Sequence, residues 1–390
     1  MKYVYEQKNW PNFIWRHEII SPVLAEVRHH QGRLLGRIEA LGFQLQEEAA
    51  LQSITEETIQ SSGIEGETLD REQVRSSVAR HLGIEVAGMV DSGRIVDGVV
   101  EMALDATQRY AEPLTAARIC NWHAALFPTG RSGMRSIAVG SWRTDEFGPT
   151  QVVSGPVGRE DVHFEAPPAI SVADHMNAFL DWFESELTID PVLKAAIAHF
   201  WFVTVHPFDD GNGRIARAIT DLALARSERS SYRFYSMSSS IRAERPDYHS
   251  ILERSQKGTL DITDWLLWFL RCLQKSIDRA EITLAAVLRK AEFWKSHIGT
   301  SLNERQRLVI NRLLDGFHGK LTSSKWAALT KTSQDTASRD IDDLMTRGIL
   351  VRGPAGGRST NYKLVLPGDK LGPGEASITN DADSSEPFRR

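Results

Sequence analysis

Most of the chemistry this sequence offers lies in one stretch, His206-Pro-Phe-Asp-Asp-Gly-Asn-Gly-Arg-Ile-Ala-Arg217. Glycines at 211 and 213 let the backbone turn with unhindered amides. The helix expected after them points its positive end at whatever the turn holds, and such a nest of N–H groups suits phosphate. Arg214 and Arg217 are three apart, so on that helix they share nearly one face and can reach the same polyphosphate. Asp210, just before the nest, is placed to hold a Mg²⁺ ion bridging phosphate oxygens. His206, across the turn, can take the proton from an incoming hydroxyl. Each feature alone also has a plain reading as a turn, a structural histidine or surface charge. Their order within one short segment favours a nucleotide-phosphate site.

Helices must present this loop. Residues 191–205 open with Pro191 at a first helical turn and are apolar nearly all round, as in a helix buried at a domain centre. The loop 206–212 follows, then a helix to about Arg226. Upstream, Leu24, Val27, Leu34, Leu35, Ile38 and Leu41 recur at helical spacing. A second helix is expected from about Leu45 to Gly63, stopped by Gly63 and Gly66, and others around 71–82, 93–110, 114–126 and 171–186. Residues 130–168 break the pattern. Ile137-Ala138-Val139 and Gln151-Val152-Val153 read as short strands of a small hairpin beside the helical body. A long helix starts near Asp261 and runs to about Lys295.

The loop matches at every defined position the signature His-x-Phe-x-Asp/Glu-Gly-Asn-Gly-Arg-x-x-Arg, and so resembles the Fic/DOC family. The resemblance implies a helical catalytic core with a β-hairpin flap. It also implies transfer of AMP from ATP onto a Ser, Thr or Tyr hydroxyl of a target protein, the chain itself being one candidate. His206 would deprotonate the hydroxyl and Asp210 would coordinate Mg²⁺. Gly211, Asn212 and Gly213 would hold the α- and β-phosphates, and Arg214 and Arg217 the β- and γ-phosphates. In the family the flap pairs with the target's backbone, which nominates Val152 and Val153. Arg143 in the hairpin, with Tyr248 and Gln256 before Asp261, are further candidates to surround the adenosine.

Ser61 and Glu65 are four apart and project from one side of a continued helix, and a carboxylate so presented can pair with an arginine. Ser-x-x-x-Glu-Gly over Ser61, Glu65 and Gly66 resembles the family's inhibitory motif. By that resemblance Glu65 pairs with Arg217 and keeps the γ-phosphate from docking, in the subclass with an N-terminal inhibitory helix. Trp10-Pro-x-Phe13-x-Trp15 also resembles an extension of some bacterial relatives, and aromatic packing is its plainer reading.

Residues 301–366 are different in character. They hold eleven Lys/Arg and six Asp/Glu, a charge of +5 in a chain of net -5. Helices at 302–314, 322–329 and 334–346, followed by two strands around a Gly-rich tip, resemble a winged helix-turn-helix. Gln334, Ser338 and Arg339 could reach bases or phosphates, Arg352 and Arg358 flank the tip, and Asp340, Asp342 and Asp343 would repel DNA.

The expected organisation is a mainly α chain. Residues 1–109 form a helical region carrying the inhibitory helix (about 45–66), and 110–295 the catalytic core. Residues 301–366 form the winged helix-turn-helix, and 367–390 a disordered tail rich in Gly, Pro, Ser and Asp. Two cysteines make no disulfide framework. With no signal-like start and no membrane-length apolar run, the expectation is a cytoplasmic protein without a membrane partner. A homodimer is expected only by analogy with relatives. Two other functions stay open. One is a DNA-binding regulator that uses the Fic fold as a nucleotide sensor, and the other is AMP removal or transfer of another phosphate moiety.

Overall fold

The computed structural model describes residues 2–86, 88–144, 146, 148–154, 159, 161–314, 317, 319–353 and 360–367. The chain divides into two compact units, Met1–Thr283 and Leu284–Arg390.

In the first unit a 3₁₀ turn at Val4–Glu6 leads into α1 (His17–Glu39), α2 (Phe43–Ile64), α3 (Arg71–Leu82), α4 (Arg94–Gln108) and α5 (Ala116–Leu126). Two antiparallel pairs follow, β1 (Arg131–Ser132) with β2 (Arg135–Ser136), and β3 (Gln151–Ser154) with β4 (Asp161–Glu165). Then come α6 (Ala169–Ser185), α7 (Pro191–Val205), α8 (Asn212–Glu228), α9 (Met237–Ala243), α10 (Arg245–Gln256) and α11 (Thr263–Ser296), whose residues from Leu284 onward belong to the second unit.

Helix α7 is the centre of this unit because it has almost no polar face. Asp190 caps it, accepting from Val192 N at 2.8 Å, and Pro191 takes the first turn, where a missing N–H costs nothing. From Val192 to Val205 every side chain but Lys194 is buried. Full burial of a side chain such as Phe200 or Phe202 contributes about 1.5–3 kcal/mol. Helix α8 packs along α7, and α4 and α5 flank it. Helices α4 and α5 approach so closely that a Cβ on Gly98 would collide with the carbonyl of Ala125.

Helix α2 lies on α9. Buried Glu57 accepts hydrogen bonds from Ser236 Oγ (2.7 Å), Ser238 N (3.0 Å) and Ser238 Oγ, an acid at the positive start of a helix. Arg242 donates to Gln60 Oε1 at 2.7 Å, and a side chain at Gly63 would strike the Arg242 guanidinium. These contacts fix the C-terminal half of α2 on α9.

The small hairpin differs from expectation. Its partner for Gln151-Val152-Val153 is 161–165, paired Gln151↔Glu165 and Val152↔Phe164, with a bulge before Val153↔Val162. Residues 137–139 form no strand. Their backbone donors go elsewhere: Ile137 N bonds Gly130 O (3.2 Å) and Ala138 N bonds Asp209 Oδ2 (3.0 Å), while the next residue, Gly140, donates to His123 Nδ1 (3.1 Å). Helices α9 and α10 were not expected, since 237–256 is rich in Ser, Arg and Glu.

In the second unit α12 (Glu304–Leu314), α13 (Ser323–Thr330) and α14 (Gln334–Thr346) precede β5 (Leu350–Arg352), which pairs antiparallel with β6 (Tyr362–Leu364). Thr322 and Ser333 cap α13 and α14 through their hydroxyls. Val309, Ile310, Trp326, Ala337, Ile341 and Leu344 make the core. The tip expected to carry Arg358, residues 354–359, and the expected tail after Pro367 lie outside the described residues. Among the described residues no helix is long and apolar enough to cross a membrane.

Candidate functional site

The turn between α7 and α8 is built from left-handed residues at both ends. His206 ends α7 at φ +50°, and Gly211 opens α8 at φ +80°. At Gly211 a side chain would also crowd the Phe127 ring. A histidine in this conformation is strained, and the surroundings must hold it there. They do so from several directions. His206 N bonds Phe202 O at 3.0 Å, and Arg143 donates from Nε to His206 O at 2.7 Å and from Nη2 to Pro167 O. Asn212 staples the turn internally: its Oδ1 accepts from Phe208 N (3.0 Å) and its Nδ2 donates to Phe208 O (2.8 Å). Phe208 stacks on His123 with centroids 4.1 Å apart.

His206 Nδ1 faces Val203 O at 3.4 Å, so that nitrogen carries the proton and Nε2 keeps its lone pair. Burial, with the charge of Arg143, lowers the imidazole pKa to about 4, and the ring is neutral at pH 7. His123 supports the loop from α5. Its Nδ1 accepts from Gly140 N and its Nε2 faces Asp210 O at 3.2 Å, while burial lowers its pKa to about 4. Asp210 accepts from Gly211 N through Oδ1 (2.5 Å) and from Ser132 Oγ through Oδ2.

Helix α8 makes its first bond from Ile215 N to Gly211 O (3.0 Å), so the amides of Asn212, Gly213 and Arg214 precede the helical ladder. Arg214 and Arg217 are each 2% exposed. Arg214 lies over the Phe127 ring, 5.0 Å from its centroid. Arg217 donates from Nε to Ser61 Oγ (2.8 Å) and from Nη2 to Ser61 O (2.9 Å) and Glu65 Oε1 (2.8 Å). Arg214 donates to Glu67 Oε2 at 2.7 Å. Both acids come from the turn that ends α2, where Gly66 takes φ +88°. Burial opposes ionisation of Glu65, but Arg217 and then Arg214 overrule it and hold the carboxyl below its ordinary value. Glu65 also closes over the turn, since a Cβ on Gly213 would collide with its Oε1.

The structure therefore gathers His206, Asp210, Gly211, Asn212, Gly213, Arg214, Arg217, Ser61, Glu65 and Gly66. Asn212 uses its side chain within the turn, which leaves its main-chain amide for any phosphate. Tyr248 is buried beside Arg217 and Glu65, with its hydroxyl 2.9 Å from His199 Nε2. Buried Gln256 bonds Thr204 Oγ1 at 3.4 Å. Arg143 is not in a hairpin; it is buried under the loop as a positioning residue. Val152 and Val153 are exposed on β3, whose outer edge is unpaired among the described residues. The N-terminal turn backs this hairpin: Tyr3 meets Phe164 edge-on at 5.1 Å, and His163 reaches Glu253 of α10 at 2.9 Å. Sequence reasoning missed His123, Ser132 and Glu67. Only Glu67, an acid two residues beyond Glu65, left a visible signal.

The turn lies within a stretch that matches a known family. Residues 113–224 match the model of the Fic/DOC family, and residues 3–84 match a domain of unknown function (DUF4172). The chain is 32% identical over 191 residues to the protein adenylyltransferase fic-1 of Caenorhabditis elegans, covering 47% of this chain and 35% of that protein. It is 26% identical over 225 residues to the protein adenylyltransferase Fic of Nematostella vectensis, covering 56% and 46%. The chain thus spans about a third to a half of the length of these curated relatives. Among solved structures, a Fic family protein from Desulfovibrio desulfuricans G20 shares the fold, with TM-score 0.51 and 22% identity over 90% of this chain and 97% of that one.

Proposed function

Because the chain carries a Fic/DOC domain at residues 113–224, we propose that it is a protein adenylyltransferase that moves AMP from ATP to a hydroxyl side chain of a protein, held in check by Glu65. The observation that carries this reading is the position of Arg217, a buried guanidinium at the phosphate turn that is closed by an acid still open to solvent.

In the proposed reaction the target hydroxyl gives its proton to His206 Nε2 as its oxygen bonds to the α-phosphorus of ATP. The bond from that phosphorus to the bridging oxygen breaks, and pyrophosphate leaves. The free amides of Asn212, Gly213 and Arg214 face the negative charge that grows on the phosphate oxygens. Arg214 and Arg217 hold the outer phosphates, which requires Glu65 to leave Arg217. A neutral imidazole with a bare Nε2 is the form this step needs. Exposed Val152 and Val153 on a strand edge unpaired among the described residues suit pairing with an extended segment of the target.

Asp210 would hold magnesium. Among the described residues no three acidic, histidine or cysteine side chains form a metal cluster. A single carboxylate beside the nest suits a cation whose other ligands are phosphate oxygens and water. Magnesium held there would neutralise phosphate charge.

For the second unit we propose a winged helix-turn-helix that takes DNA. Two of the three acids expected to repel it are paired within the unit: buried Asp340 with Arg305 (2.8 Å) and Asn303, and the more exposed Asp343, which accepts from Gln306 and Arg347. Arg339 and Lys331 remain exposed. Titration of the full chain with duplex DNA should give an affinity that falls steeply with salt; salt-independent or absent binding removes this partner.

The enzymatic reading is tested by incubating wild type, Glu65→Gly and His206→Ala with α-labelled or γ-labelled ATP, Mg²⁺ and a cell extract. Protein label from the α position, increased by Glu65→Gly and lost in His206→Ala, is expected. Label from the γ position means phosphoryl transfer instead. Loss of AMP from pre-labelled protein, without new labelling, means removal.

A further inference from the structure

The turn after α2 presents two acids, and only one was expected to matter. Helix α2 ends at Ile64, and the amides of Glu65 and Glu67 both return to Ser62 O at 3.1 Å. With Gly66 at φ +88° between them, the two carboxylates emerge towards the first turns of α8. Glu65 takes Arg217 at 2.8 Å and Glu67 takes Arg214 at 2.7 Å.

We propose that Glu67 is a second anionic plug of the phosphate site, so that an incoming nucleotide must displace two carboxylates from two arginines. This rests on the reading of residues 206–217 as an ATP site. In each pair the arginine is fixed and the acid is free to leave. The two guanidinium side chains are 2% exposed, whereas Glu65 and Glu67 are 34% and 42% exposed. Arg214 is pinned over Phe127, and its Nε has no hydrogen-bond partner among the described residues. It therefore cannot follow Glu67 into solvent. When Glu67 departs, a buried cation is left unpaired in the first turn of α8, and a phosphate oxygen is the natural replacement. A purely structural tie fits less well, because an ion pair with one partner this exposed contributes little to stability. The acids also share one short turn, so movement at Gly66 displaces both.

The test measures ATP affinity by calorimetry with Mg²⁺ on the full-length wild type, Glu65→Gln, Glu67→Gln, the double variant and Glu85→Gln. Glu85 is exposed, and its change removes the same charge elsewhere. Glu67→Gln should bind ATP about two- to five-fold tighter than wild type, the range expected of a partly exposed ion pair. Glu65→Gln should tighten binding more, and the double variant should gain less than the product of the two. Unchanged or weaker binding by Glu67→Gln, while Glu65→Gln binds tighter, overturns the second plug and leaves the ATP site standing. Equal tightening by Glu85→Gln overturns it as well, as a general charge effect. If no variant binds ATP, the ATP-site reading fails and the plug fails with it.

Discussion

Helix α8 meets arginine–carboxylate pairs at both ends, and access to water separates what the two ends can do. At its C-terminal end Arg233 bonds Asp221 (3.2 Å) and Glu228 (3.1 Å), with side chains 4%, 7% and 1% exposed. Tyr235 and Gln31 complete the cluster. Burial, then the charge of Glu57, pushes the Asp221 carboxyl above its usual range. Nothing can replace these partners without opening the core. At the N-terminal end the arginines are buried just as deeply, but their acids face solvent and come from another helix. The first cluster fastens the fold. In the proposed enzyme the second is a pair of phosphate sites filled by the protein's own carboxylates until nucleotide displaces them. Helix α2 joins the two, with Glu57 anchored near the sealed cluster and Glu65 plugging the open one.

Breaking each end should therefore give different phenotypes. Arg233→Met leaves two buried acids uncompensated and should cost about 3–5 kcal/mol, read as a large fall in thermal midpoint. A small fall would mean that water already reaches this cluster. Glu57→Ala removes the acceptor of three hydrogen bonds at the α2–α9 contact. It should cost about 1–3 kcal/mol and also raise labelling by ATP, because the plug loses its anchor; destabilisation without activation would separate the two roles. Arg217→Met should cost only about 1–2 kcal/mol, since Glu65 can turn to water, yet it should weaken ATP binding at least ten-fold in a Glu65→Gly background. The smallest effect concerns pH. Glu65 has a lowered pKa, so its brake is fully present above the ordinary value of 4.5 and is lost only as pH falls through the lowered one. The ratio of Glu65→Gly to wild-type labelling should stay constant from pH 6 to 9, and a ratio falling towards one at pH 6 would sever the link to this carboxylate.

Much of this architecture could be read from spacing. Helix α7 declares itself by its apolar run and its Pro191 start. The turn was legible because its parts are contiguous, so no tertiary knowledge is needed to bring His206 near Arg217. Long-range partners were not. The strand at 161–165 was hidden because the run 137–139 offers a rival partner for 151–153, yet its amides at Ile137 and Ala138 are taken by Gly130 O and Asp209. Helices α9 and α10 lack a clear apolar period, and they form because Ser236 caps one and Ile241, Tyr248, Ile251 and Leu252 bury a narrow stripe. The inward turn of Asp340 depends on Arg305, 35 residues away in sequence. Glu67 was visible as a residue, but its reach to Arg214 depends on the left-handed turn at Gly66.

The most direct measurement is a crystal structure of the Glu65→Gly protein soaked with ATP and Mg²⁺. The triphosphate should lie on the amides of Asn212, Gly213 and Arg214, with Arg214 and Arg217 on its outer phosphates, Asp210 beside the metal and His206 Nε2 facing the α-phosphorus. Nucleotide bound elsewhere, or an imidazole turned away from the phosphates towards α7, would contradict it.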